Sequence, residues 1–180
     1  MHTLFRDIGM GPAAQRVLIC SPHPGEGKSF TSVNLALSIA AHASVVTESV
    51  INNWKAKARD RKTIVFCSTV EHAQNVAAAF RAHGIAAATV HGEMGDAERK
   101  ATFGAYSKGR IQVITNVAVL TEGWDHPPTS CVVLLRPSSY KSTMIQMVGR
   151  GLRTVDPEEH PGVVKTDCIV LDFGTSSLIH

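Results

Sequence analysis

The sequence predicts an α/β fold: a mostly parallel sheet with helices on both faces. Three observations lead there. Short, unbroken apolar runs rich in β-branched residues recur along the chain, as strands buried on both faces require. Segments of helical spacing separate these runs, and alternating strands and helices give parallel pairing. The 180 residues, 44% hydrophobic and 18% charged, suit a soluble globular chain with room for one sizeable core.

Taken in order, "RVLICS" (16–21) is an apolar run that ends in Pro and Gly, hence a buried strand. "SFTSVNLALSIAAHA" follows a Gly-rich turn and is expected to be a helix. "SVVTESVINNWKAKARDRK" sets Val46, Val50, Ile51 and Trp54 at helical spacing, with a basic end that suits a helix C-terminus. "TIVFCST" reads as strand. "VEHAQNVAAAFRAHG" is an Ala-rich helix closing on Gly84. "IAAATVHG" is strand and "DAERKATFGAYSKG" helix, with Asp96 as its expected cap. "IQVITNV" is strand, "TEGWDHPPTS" loop, "CVVLLR" strand, "SSYKSTMIQMVGRGLR" helix and "TDCIVLDFG" the closing strand. The organisation expected is residues 1–43 as a strand–loop–helix unit added to the sheet as one more parallel strand, and 44–180 as the main domain.

Composition bounds the function. A net charge of +3 and a pI near 8.8 are compatible with nucleic acid without requiring it. Cys20, Cys67, Cys131 and Cys168 form no CxxC pair and sit in or beside apolar runs, so they read as buried, reduced thiols. No apolar run reaches the length of a membrane helix, and "MHTLFRDIGM" has no signal-peptide pattern. The cytoplasm, without membrane contact, is the expectation.

"SPHPGEGKSF" (21–30) has the chemistry of a phosphate loop. Gly25 and Gly27 let the backbone wrap an anion with its N–H groups inward. The helix expected from Lys28 adds its positive end. Lys28 is placed at the β/γ-phosphates of ATP and Ser29 on Mg2+, with Glu26 and Phe30 in the same stretch. Pro22 stands where the strict pattern has glycine, so a Gly-rich turn that binds nothing stays open. "VLICSPHPGEGKSFTSVNLALSIA" resembles the Walker A segment of bacterial exopolysaccharide tyrosine autokinases, relatives of the MinD/ParA ATPases. The tyrosine-rich tail of that family has no counterpart here, where the tyrosines are Tyr106 and Tyr140.

From about Ser44 the sequence is similar to something else. "TIVFCSTVEHAQNVAAAF", "VHGEM", "VITNVAVLTEGWDHPPTSCVVLLRP" and "QMVGRGLRT" resemble, in order, motifs of the C-terminal RecA-like domain of superfamily 2 (DEAD/DEAH-box) helicases. The whole thus reads as a hybrid joined near 41–44. In "QMVGRGLR", Gln146, Gly149, Arg150 and Arg153 fit Q-x-x-G-R-x-x-R. On a helix the two arginines share a face, an arrangement suited to the γ-phosphate of a nucleotide held by another domain. Gly149 and Gly151 suggest a closely approached or ending helix. The resemblance implies that Gly123 and Asp125 lie at the nucleotide cleft, though Asp125 as a cap stays open. It also implies that Ser68, Thr69, Thr115 and Asn116 lie near a nucleic-acid backbone, where hydroxyls and an amide can donate to phosphate. His91 is a candidate for the same role, with a structural histidine as the alternative. Trp54 and Trp124 are candidate stacking platforms, Trp54 being expected in the core.

No acidic DEAD/DEAH box occurs in the chain. The expectation is a helicase-derived domain that binds nucleotide phosphate and single-stranded DNA or RNA backbone, with little or no ATPase of its own. Its partner would be the N-terminal RecA-like lobe. The alternatives are an inactive scaffold with relic motifs, and a homodimer in which Arg150 and Arg153 of one chain complete the Lys28 site of another.

Overall fold

The computed structural model describes residues 16–20, 43–117, 125–136 and 141–174. The phosphate loop, the helix expected after it, and Gly123 with Trp124 lie outside the described residues.

Six strands form one sheet in the order β1-β6-β5-β2-β4-β3. They are β1 (Arg16–Cys20), β2 (Thr63–Phe66), β3 (Ala87–Val90), β4 (Val113–Asn116), β5 (Cys131–Leu134) and β6 (Cys168–Asp172). β2 to β6 are parallel, with Phe66 opposite Asn116 and Leu134. The parallel α/β expectation therefore holds. β1 corrects it at one edge: it pairs antiparallel with β6, Arg16 opposite Asp172 and Cys20 opposite Cys168. The parallel strand expected from Arg16 is absent because an edge position accepts either direction, and an antiparallel partner needs no crossover over the sheet.

The apolar strands serve two cores because successive side chains alternate faces. Val65, Val133 and Leu171 face one core, with Val50, Ile51 and Trp54 of α1 (Ala43–Ala58) and Val76, Ala77 and Phe80 of α2 (Val70–Ala82). Ile64, Phe66, Val132, Leu134 and Val170 face the other, with Tyr106 of α3 (Asp96–Ser107) and Met147 of α4 (Lys141–Gly149). Burying each Ile, Leu or Phe contributes about 1.5–3 kcal/mol. Trp54 is a core residue, as its spacing predicts: it is 1% exposed, meets Phe80 edge-on at 5.4 Å, and donates Nε1–H to Thr63 Oγ1 at 2.7 Å.

The helix ends follow local chemistry. α1 closes on Lys55 and Lys57, cations at the negative end of the helix. After α2, Gly84 takes φ +75°, and Gly84 N–H and Ile85 N–H donate to Arg81 O and Phe80 O. This is the left-handed stop that the glycine predicts. The cap of α3 is Gly95, not Asp96. Asp96 sits one residue inside, where its carboxylate still favours the positive helix end and accepts from Arg99 Nη2 at 3.1 Å. Cys67, Cys131 and Cys168 are buried free thiols, and burial raises Cys67 and Cys131 to about 12.

Candidate functional site

The parallel strands give the sheet two distinct edges, and the site residues divide between them. At the strand-end edge, β2 passes through buried Cys67 to exposed Ser68 and Thr69. Thr69 is extended (φ −132°, ψ 158°), and its Oγ1 accepts from His72 N at 3.1 Å, so it caps α2. Ser68 and Thr69 thus offer hydroxyls beside the positive end of a helix, a setting that suits an anion. His72, in the first turn, is held below its ordinary pKa by burial. His91, after β3, is half-buried, and its Nδ1 is buried without a hydrogen-bond partner.

Thr115 and Asn116 require a correction. Both are wholly buried. Thr115 Oγ1 donates to Ala73 O at 2.9 Å and meets Thr89 Oγ1 at 2.9 Å. Asn116 Nδ2 donates to Val65 O at 2.9 Å. Their donors bind strand and helix to each other, and neither side chain faces the surface. The period of β4 directs them into the sheet packing, and the residue types alone do not reveal that.

The opposite edge carries Asp125, Gln146, Arg150 and Arg153. α4 stops at Gly149, so the expectation that Arg150 and Arg153 share a helical face is corrected: both follow the last helical residue. The cause lies at Gly151, which rests against Cys168 and Val132 so closely that a Cβ would overlap both side chains. The chain turns on the start of β5 and β6 instead of continuing as helix, as the paired glycines suggest. Gln146 is exposed, Arg150 half-buried and Arg153 exposed. Arg153 Nε lies 3.6 Å from Asp125 Oδ1, with the side chains 52% and 48% exposed. Among the described residues, Asp125 therefore partners the arginine.

Several residues at this edge escape the sequence reading. Lys165 Nζ donates to Pro127 O and to Arg153 O, each at 2.7 Å. Burial lowers its pKa to about 8. Arg61 donates to Ser130 O at 3.3 Å and pairs with the Asp167 carboxylate. Lys62 Nζ donates to the last carbonyls of α3, Tyr106 O at 2.7 Å and Ser107 O at 2.8 Å. His126 stacks edge-on against Tyr106 at 4.8 Å, and Thr129 Oγ1 meets both His126 Nδ1 and the Tyr106 hydroxyl. Burial, then Lys62 and His160, bring its pKa down to about 4. Apart from His126–Thr129, three residues apart, these pairings join residues 12 or more apart in sequence, and no local pattern marks them.

Among the described residues no group of three or more His, Cys, Asp or Glu side chains could hold a metal ion, and Ser29, expected on Mg2+, lies outside them. No helix among them is long and apolar enough to cross a membrane.

Comparison with known proteins gives a consistent picture. The sequence profile described as "Helicase conserved C-terminal domain" matches residues 41–155. The "Putative mitochondrial ATP-dependent helicase irc3" of Schizosaccharomyces pombe is 42% identical over 121 residues, 67% of this chain and 19% of the relative. Its Saccharomyces cerevisiae namesake, IRC3, is 29% identical over 146 residues, 79% of this chain and 20% of the relative. The chain thus spans about a fifth of the length of these relatives. Among solved structures, the C-terminal domain of the DEAD-box protein Dbp5 superposes with a TM-score of 0.59 at 21% identity, covering 81% of this chain and 78% of that one. "The fragment structure of a putative HsdR subunit of a type I restriction enzyme from Vibrio vulnificus YJ016" gives 0.59 at 27% identity, covering 76% and 28%. The fold is RecA-like.

Proposed function

We propose that this chain, which belongs to the family of helicase conserved C-terminal domains, is the second lobe of a superfamily 2 motor. It presents Arg150 and Arg153 to the phosphates of an ATP held by a first lobe, and its strand-end edge carries the backbone of a single-stranded nucleic acid. The observation that supports this most is Arg153 itself. Its guanidinium lies just past the end of α4, half-exposed, against a carboxylate 3.6 Å away. A long, exposed pair of this kind exchanges readily, and a guanidinium fork suits phosphate oxygens at least as well as a carboxylate. Gln146 lies one helical turn before Arg150, and in this reading it faces the same nucleotide together with Gly123.

The two edges divide the work. Ser68, Thr69 and His91 lie where parallel sheets bind ligands, beyond the strand ends. Contacts of this kind hold the nucleic-acid backbone without reading sequence. Arginines act on transferring phosphate by charge and position, and they need a water-activating group and a metal supplied elsewhere. ATP turnover by the chain alone is therefore slow in this proposal.

The phosphate loop is a further part of it. Lys28 and Ser29, with Gly25, Glu26, Gly27 and Phe30, would hold a nucleotide phosphate with Mg2+, in a segment of separate descent joined before residue 44. Calorimetry with ATP–Mg on the chain and on Lys28→Ala tests that part. Cytoplasmic placement belongs to the same proposal, and fractionation decides it.

The central test replaces the matching segment of the fission-yeast helicase with residues 41–155 of this chain and measures ATP turnover with single-stranded DNA. DNA-stimulated turnover should persist, and Arg150→Ala should lower it by about 10³-fold. A hybrid indifferent to that substitution overturns the reading, as does DNA-stimulated turnover of about 1 s⁻¹ or faster by this chain alone.

A further inference from the structure

Among the described residues, Arg153 emerges from a stretch of chain with few backbone bonds. α4 ends at Gly149, and residues 152–155 belong to no helix or strand. The turn bonds Gly151 N–H to Val148 O at 2.9 Å and Leu152 N–H to Gly149 O at 3.2 Å carry the chain only as far as Leu152. The ion pair with Asp125 is long and half-exposed, too weak to fix a guanidinium by itself. Asp125 also lies outside helix and strand, though His126 after it is buried against Tyr106 and Thr129. A guanidinium that must meet a phosphate within a fraction of an ångström needs firmer support than these contacts give.

One side chain supplies it to both partners. The Lys165 ammonium donates to Arg153 O and to Pro127 O, each at 2.7 Å. Pro127 lies two residues after Asp125, so a single charged donor ties together the main chains that carry the two halves of the pair. Charge-assisted bonds from a half-buried ammonium are stronger and more directional than an exposed ion pair. The lysine is anchored in turn, because Asp167, two residues on, pairs with Arg61, which also donates to Ser130 O at 3.3 Å. Asp125, Arg61, Cys168 and His126 are among the charged and titratable groups around Lys165.

We infer that Lys165 is a positioning residue: it fixes the main chain of Arg153 relative to Asp125 so that the guanidinium is held ready for a nucleotide phosphate. This rests on the reading in which Arg153 faces ATP. It assigns a role to the segment between the arginines and β6, which no motif of the sequence covers. Arginine in place of Lys165 can keep both bonds through its several donors, whereas methionine keeps the stem and removes them.

The test mixes the whole chain, labelled with ¹⁵N, with an unlabelled first lobe of the fission-yeast helicase that holds ATP, and follows the Arg153 Nε–H signal during ATP–Mg titration. The wild-type signal should shift with ATP. Lys165→Met should weaken that response about tenfold or more, with the amide signals of β2, β4, β5 and β6 unchanged. Lys165→Arg should restore most of the response. Should Lys165→Met fail to fold, Lys165→Gln, with one carbonyl satisfied at a time, should fall between wild type and loss. A wild-type Arg153 that ignores ATP with the first lobe present sinks the phosphate reading and this inference with it. A wild-type response that Lys165→Met or Lys165→Gln leaves intact, or that Lys165→Arg does not rescue, removes the role of Lys165 and spares the phosphate reading.

Discussion

Gly151 rests directly on Cys168, with no room for a methyl group between the turn after α4 and the first residue of β6. That contact links the arginine segment to the sheet: Arg150 precedes the glycine, Arg153 follows it, and the close approach sets where both leave the core. The glycine two positions earlier has a different part. Nothing lies within 4 Å of a Cβ at Gly149, the last residue of α4.

The two glycines should therefore respond differently to alanine. Gly151→Ala should destabilise the fold by about 1–3 kcal/mol, the range for overpacking a well-filled site. Gly149→Ala should leave stability unchanged or raise it by up to about 1 kcal/mol through helix propensity. Urea unfolding of both variants checks this. Equal losses would mean that the arginine segment is not pinned at Gly151.

Asp125 and Arg153 should separate stability from function. Both side chains are about half exposed, so solvent screens the pair and Asp125→Asn should change stability by less than about 1 kcal/mol. The same substitution frees the guanidinium from its carboxylate. The Arg153 Nε–H signal should then move in the absence of ATP. An unchanged signal would mean that the 3.6 Å pair does not persist in solution.

His126 makes a pH prediction. It is 6% exposed, packed against Tyr106 and Thr129, with Lys62, His160 and Lys165 nearby, and its folded pKa lies near 4 against an ordinary 6.5. Between those values the unfolded chain holds a proton that the folded one refuses. Stability is therefore highest above pH 6.5 and falls as the pH drops toward 4. The loss from this residue should be on the order of 2–3 kcal/mol. Unfolding curves from pH 7 to 4 should show a shallower fall for His126→Gln than for wild type. Parallel curves would place the acid sensitivity elsewhere.

The sheet and its helices were legible because they obey local rules. The apolar runs of β2, β4, β5 and β6 are buried throughout, and Gly84 stops α2 with the positive φ that its position after an Ala-rich helix suggests. The direction of β1 was not legible, since an edge strand pairs either way and nothing within "RVLIC" distinguishes them. Spacing marks the arginines but not their setting: the helix stops early because Gly151 meets Cys168, 17 positions away in sequence. Lys165 and His126 carry no signal in the sequence for the same reason. Their partners are carbonyls, rings and hydroxyls brought close only by the fold, in segments whose composition reads as plain loop.

The strand-end edge separates surface hydroxyls from buried ones, and nucleic-acid binding should follow that division. Ser68 and Thr69 are exposed, whereas the Thr115 hydroxyl is spent on Ala73 O and Thr89 Oγ1. Ser68→Ala removes at most a neutral hydrogen bond to phosphate, so affinity for a single-stranded oligonucleotide should fall by about 2- to 10-fold with stability unchanged. Thr69→Ala should lower affinity as well, and it should cost about 1 kcal/mol because the cap on His72 N goes with it. Thr115→Val should do the reverse. It removes a buried bond to Ala73 O, which Thr89 Oγ1 still reaches at 3.3 Å, and costs about 1 kcal/mol, yet the folded fraction should bind the oligonucleotide as wild type does. Fluorescence anisotropy at fixed salt, read beside urea unfolding, separates the three variants, with the salt held constant because phosphate contacts make affinity steeply salt-dependent. If Thr115→Val weakens binding more than Ser68→Ala while remaining folded, then the backbone reaches into the sheet interior and the assignment of this edge is wrong.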